Sequence, residues 1–535
     1  MPIASKSYIS VLYNLKDVPV VSNPKRKEIL ILLLCLLIGF ALRFYSFDKK
    51  SLWIDEIHTF NESRDDLGGQ LRYYRENPTH LHPPLFFILT HLFYPFPKPE
   101  RDLRIIPLIF GILSLPMIYL LARSFSPRIA LPCTFALALM TYHIHYSQEG
   151  RVYSLTLFWS MLGLYFLMKH LETSRQKYLL LTGLTFSLLV HLSYSTIPFI
   201  LLSQLLLFYR REGNRFLTPL PSFFILNGWI CLFCAPWFLF VALNYTGQPI
   251  MDPLTVQEIG PFSSLFSAVL NDWASSSVLA VISAGLLILF PFLSNEKRNA
   301  FILLAMFIVP IGGLYAYCRL FHVTQFITSR YFINFLPLFL VTLFMSVDTM
   351  EAKWKPLRRI LNPRLLLLLF FIASNLAILP LYYQSQKQDF RRLDSYLYSQ
   401  IQDGDRVFVR SNTYIPGILH YFGIYPEERH YNIPLYWINS KIFEIRIPLS
   451  FKDRRFTIYN SNHCCDQYIA DGKRLWVLVG KEAAQEIQQN SPLVLKGYFD
   501  GSFSHFRRFP SDASMYLFLW DSKSPWEKGI EMPIE

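Results

Sequence analysis

Charged residues are scarce in this sequence, which carries Asp, Glu, Lys or Arg at only 17% of its 535 positions. A soluble globular chain carries about a quarter, whereas here 52% of the residues are hydrophobic and 16% are aromatic. The apolar residues come in blocks of roughly twenty, the length that crosses the hydrocarbon core of a bilayer. This composition excludes a wholly soluble protein and indicates a polytopic membrane protein.

The sequence also lacks a disulfide framework. Of the seven Cys residues, five lie in apolar runs and are expected to be small buried hydrophobes: Cys35, Cys133, Cys231, Cys234 and Cys318. Cys231 and Cys234 have the spacing of a redox or metal-binding pair, but no second pair accompanies them. Cys464 and Cys465 are adjacent, and adjacent Cys residues rarely bridge each other.

Eleven segments are long and apolar enough to be predicted as membrane spans. They are approximately residues 28–46, 102–122, 129–146, 151–170, 178–194, 196–209, 221–243, 275–293, 299–318, 331–349 and 364–383. The run from Pro83 to Tyr94, at about twelve residues, is too short to span and is predicted to be an interfacial or re-entrant helix. No convincing cleavage site follows the first apolar run, so that run is predicted to be a retained signal anchor.

The distribution of basic residues supports this count. If residues 1–27 are a cytoplasmic N-terminal segment, every inside loop carries Lys or Arg, whereas the outside loop 244–274 carries none. Counting 83–94 as a span would reverse this pattern, which follows the positive-inside rule. The net charge of +13 is therefore attributed to topology, and nucleic acid is not a predicted partner because no basic recognition motif is present.

The same topology places the C-terminal region outside. Residues 28–383 form the predicted membrane domain, and residues 384–535 form a predicted extracytoplasmic α/β domain. Short β-like runs at 406–410, 455–459, 475–479 and 515–519 alternate there with helical stretches. The predicted fold is thus a polytopic α-helical membrane protein with a C-terminal soluble α/β domain.

Four polar clusters are predicted to share the outer face. They contain Asp55, Glu56 and His58; His80 and His82; Glu149, Arg151 and Tyr153; and Arg330 and Tyr331. Taken singly, each group has a structural explanation as a loop charge, a snorkelling side chain, an ion pair or a membrane-edge anchor. Together, carboxylates, imidazoles and guanidinium groups at one rim of a helix bundle indicate a functional site.

This set of groups suits a lipid substrate with a phosphate head. Arg and His can hold a departing phosphate, and a carboxylate can take the proton from an attacking hydroxyl. The sequence therefore predicts transfer of a sugar from a polyprenyl-phosphate donor to an acceptor hydroxyl, by one in-line displacement that inverts the anomeric centre.

Four motifs resemble those of the membrane glycosyltransferases of the GT-C class. They are W-x-D-E at 53–56, H-P-P-L at 82–85, S-Q-E-x-R-x-Y at 147–153 and R-Y-F-x-x-x-L-P at 330–337. The bacterial branch related to protein O-mannosyltransferases, the lipid A aminoarabinose transferase and the core galacturonosyltransferases is the most similar, over residues 28–350. The resemblance implies juxtamembrane helices in the first outer loop, with Asp55 as the base or its orienter and Glu56 beside it. It places His82 where the aminoarabinose transferases carry a Lys that faces the donor phosphate, and Glu149 near their second acidic position.

The sequence departs from that pattern at one position that concerns a metal. The aminoarabinose transferases carry a Glu metal ligand where this chain has Leu81. Imidazole and carboxylate groups can bind Zn or Mn, so His58, His80 and Glu149 are the alternative candidate ligands. A divalent metal therefore stays a possible cofactor, and none is assigned.

Two other functions are compatible with a membrane protein of this kind. A transporter or flippase of a lipid-linked glycan would carry ionisable groups near the bilayer midplane and show inverted repeats, whereas the charged groups here lie at the rims and no repeat is present. A non-catalytic scaffold that presents the C-terminal domain would not need Asp55. The transferase is preferred; its predicted location is the bacterial inner membrane, and its predicted acceptor is a glycan, lipid or protein.

Overall fold

The computed structural model describes residues 26–76, 82–209, 219–245, 261–320, 328–353, 362–410, 414–423, 444–451, 454–461, 474–503, 506, 512–522 and 529–530. His80, one of the predicted site residues, lies outside these ranges. The described residues form a large helical part, up to Gln384, and a smaller part that contains a β-sheet.

The helical part is an all-α bundle with several short helices in the segments between its long helices. Its helices are α1 (Arg26–Phe44), α2 (Ile54–Glu62), α3 (Leu67–Glu76), α4 (Leu85–His91), α5 (Pro99–Asp102), α6 (Ile105–Phe125), α7 (Ala130–Leu139), α8 (Thr141–Ser147), α9 (Tyr153–Thr173), α10 (Gln176–Leu192), α11 (Ile197–Ser203), α12 (Pro219–Asn244), α13 (Phe262–Ala274), α14 (Ser277–Leu293), α15 (Lys297–Leu320), α16 (Leu336–Lys353) and α17 (Pro363–Gln384). Short 3₁₀ segments cover Pro127–Ile129, Tyr194–Thr196, Gln204–Phe208 and Ser329–Phe335.

Within the described ranges, five helices are long and apolar enough to cross a membrane. They are Pro99–Phe125, Leu220–Asn244, Lys297–Leu320, Ser329–Lys353 and Pro363–Gln384. The pair Phe262–Ala274 and Ser277–Leu293, bent by 108°, adds a sixth candidate. The chain is therefore an integral membrane protein, and the full number of eleven spans stays a prediction.

The predicted first outer loop contains short helices. The apolar run that was too short to span contains α4, which covers only Leu85–His91. Helices α2 and α3 precede it. Helix α2 is amphipathic: Ile57 and Phe60, three residues apart, are buried on one face.

The predicted span 129–146 is broken in two at Met140, which has an extended backbone with φ −69° and ψ 112° between α7 and α8. A break leaves backbone carbonyl groups without helical partners, and the buried guanidinium of Arg43 binds those of Leu137 and Ala138 as well as one in its own helix. Its Nη1 donates to the carbonyl oxygens of Gly39 at 2.9 Å and Ala138 at 2.8 Å, and its Nη2 donates to that of Leu137 at 2.8 Å.

The side chain of Asn375 on α17 supports the same break from the other side. Its Oδ1 accepts a hydrogen bond from the Thr141 amide at 2.8 Å, and the hydroxyl of Ser275 donates to the same oxygen at 2.8 Å. These contacts fix the direction in which α8 begins. They therefore also fix the position of His145 on α8 and of the loop after α8, which contains Glu149.

The smaller part is a mixed six-stranded sheet with helices beside it. Its strands are β1 (Arg406–Val409), β2 (Glu444–Phe451), β3 (Arg454–Ser461), β4 (Leu475–Val479), β5 (Val494–Phe499) and β6 (Met515–Trp520), in the order β2-β3-β1-β4-β6-β5. Strand β1 is parallel to β3 and β4, and the other pairs are antiparallel. The helices are α18 (Phe390–Gln400), α19 (Ile415–Tyr421) and α20 (Lys481–Asn490). The four predicted strands correspond to β1, β3, β4 and β6.

The two parts share a hydrophobic core beneath α2. Leu52, Ile57 and Phe60 belong to the same buried cluster as Ile415 and Ile418 of α19. Burying these side chains contributes roughly 1.5–3 kcal/mol each relative to leaving them exposed. The segment between α1 and α3 is consequently packed against both the helical bundle and the sheet domain.

Candidate active site

Helix α2 begins at the W-x-D-E motif and places its two carboxylates in the first turn. Trp53 is the N-cap residue, and its amide donates to Oε2 of Glu56 at 3.4 Å. Negative side chains in the first turn are stabilised by the free N–H groups of the helix end. Asp55 and Glu56 then diverge, because adjacent residues on a helix point in different directions.

Glu56 is fully buried and is bound by the guanidinium of Arg104. Nε of Arg104 donates to Oε1 of Glu56 at 2.7 Å, and Nη2 donates to Oε2 at 2.6 Å. The amide of Gly150 adds a 2.7 Å hydrogen bond to Oε1. The remaining guanidinium donors bind the carbonyl oxygens of Phe47, Lys50 and Ser51. This bidentate pair joins α2, the residues before α6 and the 148–152 loop.

Asp55 is partly exposed and meets Arg330 from the other end of the chain. Nη1 of Arg330 donates to Oδ2 of Asp55 at 2.9 Å, with 22% of the Asp55 side chain and 20% of the Arg330 side chain accessible. The Arg330 guanidinium lies 6.0 Å from the ring centroid of Trp53 and 5.6 Å from that of Tyr331. Members of the first and fourth predicted clusters are thus in direct contact.

Arg151 connects the third cluster to the same helix. Its Nη1 donates to the backbone oxygen of Asp55 and to Oγ1 of Thr59, both at 3.1 Å. Among the residues that the structure describes, Nε of Arg151 and Nε of Arg330 are buried and have no hydrogen-bond partner. Buried N–H donors without partners are uncommon in folded proteins, and these two belong to cations beside the same carboxylate.

Glu149 is buried and forms a second ionic cluster, with Lys387 and His145. Its Oε2 lies 2.9 Å from Nζ of Lys387 and 3.1 Å from Nε2 of His145. Burial opposes ionisation of this carboxyl, but the ammonium of Lys387 and the contact with His145 outweigh burial, so the pKa of Glu149 lies below its usual value. Its Oε1 has no hydrogen-bond partner among the described residues.

Gln148 fixes the loop that carries Glu149. Its amide donates to the backbone oxygens of Arg43 and Tyr45, both at 2.8 Å, and its Oε1 accepts from the hydroxyl of Tyr382 at 2.8 Å. The end of α1, the 148–152 loop and the end of α17 are thereby tied together.

Three other predicted site residues, His58, Tyr153 and His82, differ in their exposure and in their contacts. His58 is partly buried on α2, and Tyr153 begins α9 with its ring centroid 4.9 Å from that of Tyr146. His82 is exposed just before α4, with its ring centroid 6.5 Å from that of Phe87.

The sequence reasoning did not identify Arg104, His145 or Lys387. Arg104 and His145 were assigned to apolar spans, and Lys387 lies in a short polar linker after α17 that resembles any surface loop. A buried cation is recognisable from sequence only when its carboxylate partner is already known.

The structure describes two of the three candidate metal ligands, His58 and Glu149. No group of three or more His, Cys, Asp or Glu side chains suited to a metal ion occurs among the described residues, and His80 is not one of these residues. The ammonium of Lys387 lies 2.9 Å from Glu149 and would repel a cation there. No step of the reaction is therefore assigned to a metal.

Known proteins match both the sequence and the fold. Residues 81–240 match the family model described as dolichyl-phosphate-mannose-protein mannosyltransferase. The fold is similar to the crystal structure of ArnT from Cupriavidus metallidurans bound to undecaprenyl phosphate, with a TM-score of 0.51 and 10% identity over 92% of this chain and 97% of that one. The apo structure of the same protein matches with a TM-score of 0.51 and 11% identity over the same shares.

No curated protein sequence matches the chain significantly. The family match and the ArnT-like fold confirm the resemblance to the GT-C class of membrane glycosyltransferases that the four motifs predicted.

Proposed function

We propose that this protein transfers a sugar from a polyprenyl-phosphate donor to an acceptor hydroxyl at the extracytoplasmic face of the bacterial inner membrane, with Asp55 as the base. The observation that carries this proposal is the contact between a partly exposed carboxylate, Asp55, and the guanidinium of Arg330 at 2.9 Å. A base for the acceptor and a cation for the phosphate are the two groups that a single displacement needs.

In this reaction the acceptor hydroxyl gives its proton to Asp55 as its oxygen bonds to the anomeric carbon. The bond between that carbon and the phosphate oxygen breaks, and its electron pair leaves with the lipid phosphate. Attack from the face opposite the phosphate inverts the anomeric centre. Oδ1 of Asp55 accepts no hydrogen bond from the described residues, so one oxygen of the base is available to the hydroxyl.

The leaving phosphate is assigned to Arg330 and Arg151. Each has a buried Nε–H without a partner in the part of the chain that is described, and guanidinium groups match the oxygens of a phosphate. ArnT from Cupriavidus metallidurans, which shares the fold, was crystallised with undecaprenyl phosphate, which supports a polyprenyl phosphate as the carrier. His82, His58, Tyr153 and Tyr331 complete the proposed substrate-binding set, together with His80.

Glu56 is assigned the task of holding the base in position. Arg104, Gly150 and Trp53 donate hydrogen bonds to its two oxygens. It fixes the first turn of α2 and hence the direction of Asp55, which is the neighbouring residue.

Mass spectrometry of envelope glycolipids and glycoproteins tests the proposal. Cells that lack the protein are compared with cells that carry the wild type, Asp55→Asn, or Asp48→Asn, an exposed carboxylate a few residues upstream. One glycan should lose one sugar when the protein is absent or carries Asp55→Asn, and should be restored by the wild type and Asp48→Asn. Restoration by Asp55→Asn would remove Asp55 from the role of base.

The transporter alternative is separated by a measurement in detergent. Purified wild-type protein is mixed with a lipid extract of cells that lack it, which contains the donor, and with heat-treated envelopes of the same cells, which contain the unmodified acceptor. A transferase produces the missing glycan in micelles, whereas a flippase has no second compartment there and produces nothing.

A further inference from the structure

Three consecutive residues that connect α17 to the sheet domain contact the segment before Asp55 and the 148–152 loop. Oε1 of Gln386 accepts from the Ser51 amide at 3.1 Å, and Oε1 of Gln388 accepts from the Ile54 amide at 2.9 Å. Between them, Nζ of Lys387 binds Glu149 at 2.9 Å. We call Gln386–Gln388 the linker clamp.

The linker clamp is built into both parts of the protein. The amide of Gln386 donates to Oδ2 of Asp500, just after β5, at 2.8 Å. From α19, the hydroxyl of Tyr421 accepts from the Leu52 amide at 2.7 Å. The segment before Asp55 is therefore held by side chains of the sheet domain and its linker as well as by the bundle.

Lys387 is the charged member of the clamp and is fully enclosed. Its side chain is 2% accessible and that of Glu149 is 1% accessible. Its ammonium also lies 6.0 Å from the ring centroid of Trp53, and the Arg330 guanidinium lies 6.0 Å from the same centroid. The cations of the Glu149–Lys387 pair and of the Asp55–Arg330 pair are thus both near the Trp53 ring.

We propose that Lys387 is a positioning residue for sugar transfer, which holds the Glu149 carboxylate and the start of helix α2 in the geometry that the reaction needs. This inference rests on the proposed transferase function. Lys387 binds one oxygen of Glu149 and leaves Oε1 without a partner among the described residues, so the carboxylate keeps one acceptor for a substrate hydroxyl. Burial of Lys387 keeps it from touching substrate itself, so it acts through Glu149 and the clamp.

Kinetics with purified full-length protein test this role. The probe is the lipid extract of cells that lack the protein, with their heat-treated envelopes as acceptor, and initial rates are measured against the amount of extract. Lys387→Met should lower kcat by roughly a hundredfold, since small displacements in an active site cost about that much, while the half-saturating amount of extract changes less than threefold. Lys387→Arg, which retains the charge, should restore most of the rate. Lys481→Met is the matched control, since Lys481 lies in the same domain and is 25% accessible beside Asp512.

The double variant Lys387→Met with Glu149→Gln separates positioning from folding. Lys387→Met alone leaves a buried carboxylate without its cation, which destabilises the fold, and Glu149→Gln removes that unpaired charge. The double variant should regain a melting temperature near that of the wild type but not its kcat. Recovery of both, or a wild-type kcat in Lys387→Met, would overturn the positioning role.

Hydrogen exchange distinguishes failure of this inference from failure of the proposed function. Peptides that cover residues 51–60 should exchange faster in Lys387→Met than in the wild type and in Lys481→Met. If the wild type transfers no sugar, the transferase proposal is wrong, and this exchange result alone decides whether Lys387 fixes the loop. Unchanged exchange would then refute the clamp as well.

Discussion

Arg330 donates a 2.9 Å hydrogen bond to Asp55 although 275 residues separate them in the chain. The proposed base and the proposed phosphate-holding group are therefore in contact before any substrate arrives. The hydrogen bond from the guanidinium orients Asp55, and in the proposed reaction a donor phosphate bound to Arg330 would bring the anomeric carbon toward the same carboxylate. Their contact links donor binding to the placement of the base.

The first prediction concerns donor recognition by Arg330. Arg330→Ala should weaken binding of undecaprenyl phosphate to the purified protein by about tenfold to a hundredfold, because a hydrogen bond to a charged group contributes about 1.5–3 kcal/mol. Tryptophan fluorescence or thermophoresis measures the change. Arg319→Ala, at an exposed position near the end of α15, should bind like the wild type. Equal affinities for the two variants would show that the phosphate binds elsewhere.

The second prediction concerns the buried pair of Glu56 and Arg104. Arg104→Met should lower the free energy of unfolding by about 3–5 kcal/mol, because it leaves Glu56 as a buried charge without a partner. Thermal unfolding in detergent measures the loss. Combining Arg104→Met with Glu56→Leu should be less damaging than Arg104→Met alone. If Glu56→Gln instead keeps the wild-type melting temperature and loses all transfer, Glu56 takes part in the chemistry.

The third prediction concerns acid stability through Glu149, whose pKa is lowered in the folded protein. An acid with a lowered folded pKa stabilises the protein above its unfolded pKa of about 4.3 and loses that contribution as the pH falls. The melting temperature of the wild type should therefore fall more steeply than that of Glu149→Gln between about pH 5.5 and 3.5. Glu482→Gln, an exposed position on α20, should follow the wild type. Parallel curves for wild type and Glu149→Gln would contradict an ionised Glu149.

The fourth prediction concerns sidedness. Single Cys residues placed at positions 260 and 355, in a chain whose own Cys residues are replaced, should differ in their reaction with a membrane-impermeant maleimide. The positive-inside pattern places 260 outside and 355 inside, so intact spheroplasts should be labelled at 260 alone and lysed ones at both. Labelling at 355 in intact spheroplasts would reverse the assigned topology.

The sequence was sufficient to predict those features that depend on a local pattern of charged or apolar residues. Asp55 lies a few residues after the first predicted span, and Arg330 precedes another, so charge bias alone predicts that both face outward. The contact between them places the two residues on the same side of the bundle. Short β-like runs likewise predicted four strands, but β2 and β5 were missed: their sequences contain Pro448 and Gly497, residues that are unfavourable in strands.

Long-range partners could not be predicted, because one sequence carries no distances. Nothing near Lys387 indicates that its ammonium is buried against Glu149, 238 residues earlier. The break at Met140 was missed for a related reason. The run 129–146 is apolar enough to be one helix, and its interruption depends on Arg43 and Asn375, which lie on other helices.

The linker clamp also has a consequence for the order of synthesis. The backbone amide of Ile54 cannot donate to Gln388 until Gln388 has been synthesised, 334 residues later. Until α17 has inserted and the sheet domain has folded, the segment before Asp55 is without these partners, and the proposed base is without its final geometry. Domains of large proteins generally fold in chain order, so here a later segment brings an earlier one to its final form. A chain cut short after Gln384 would insert into the membrane and remain inactive.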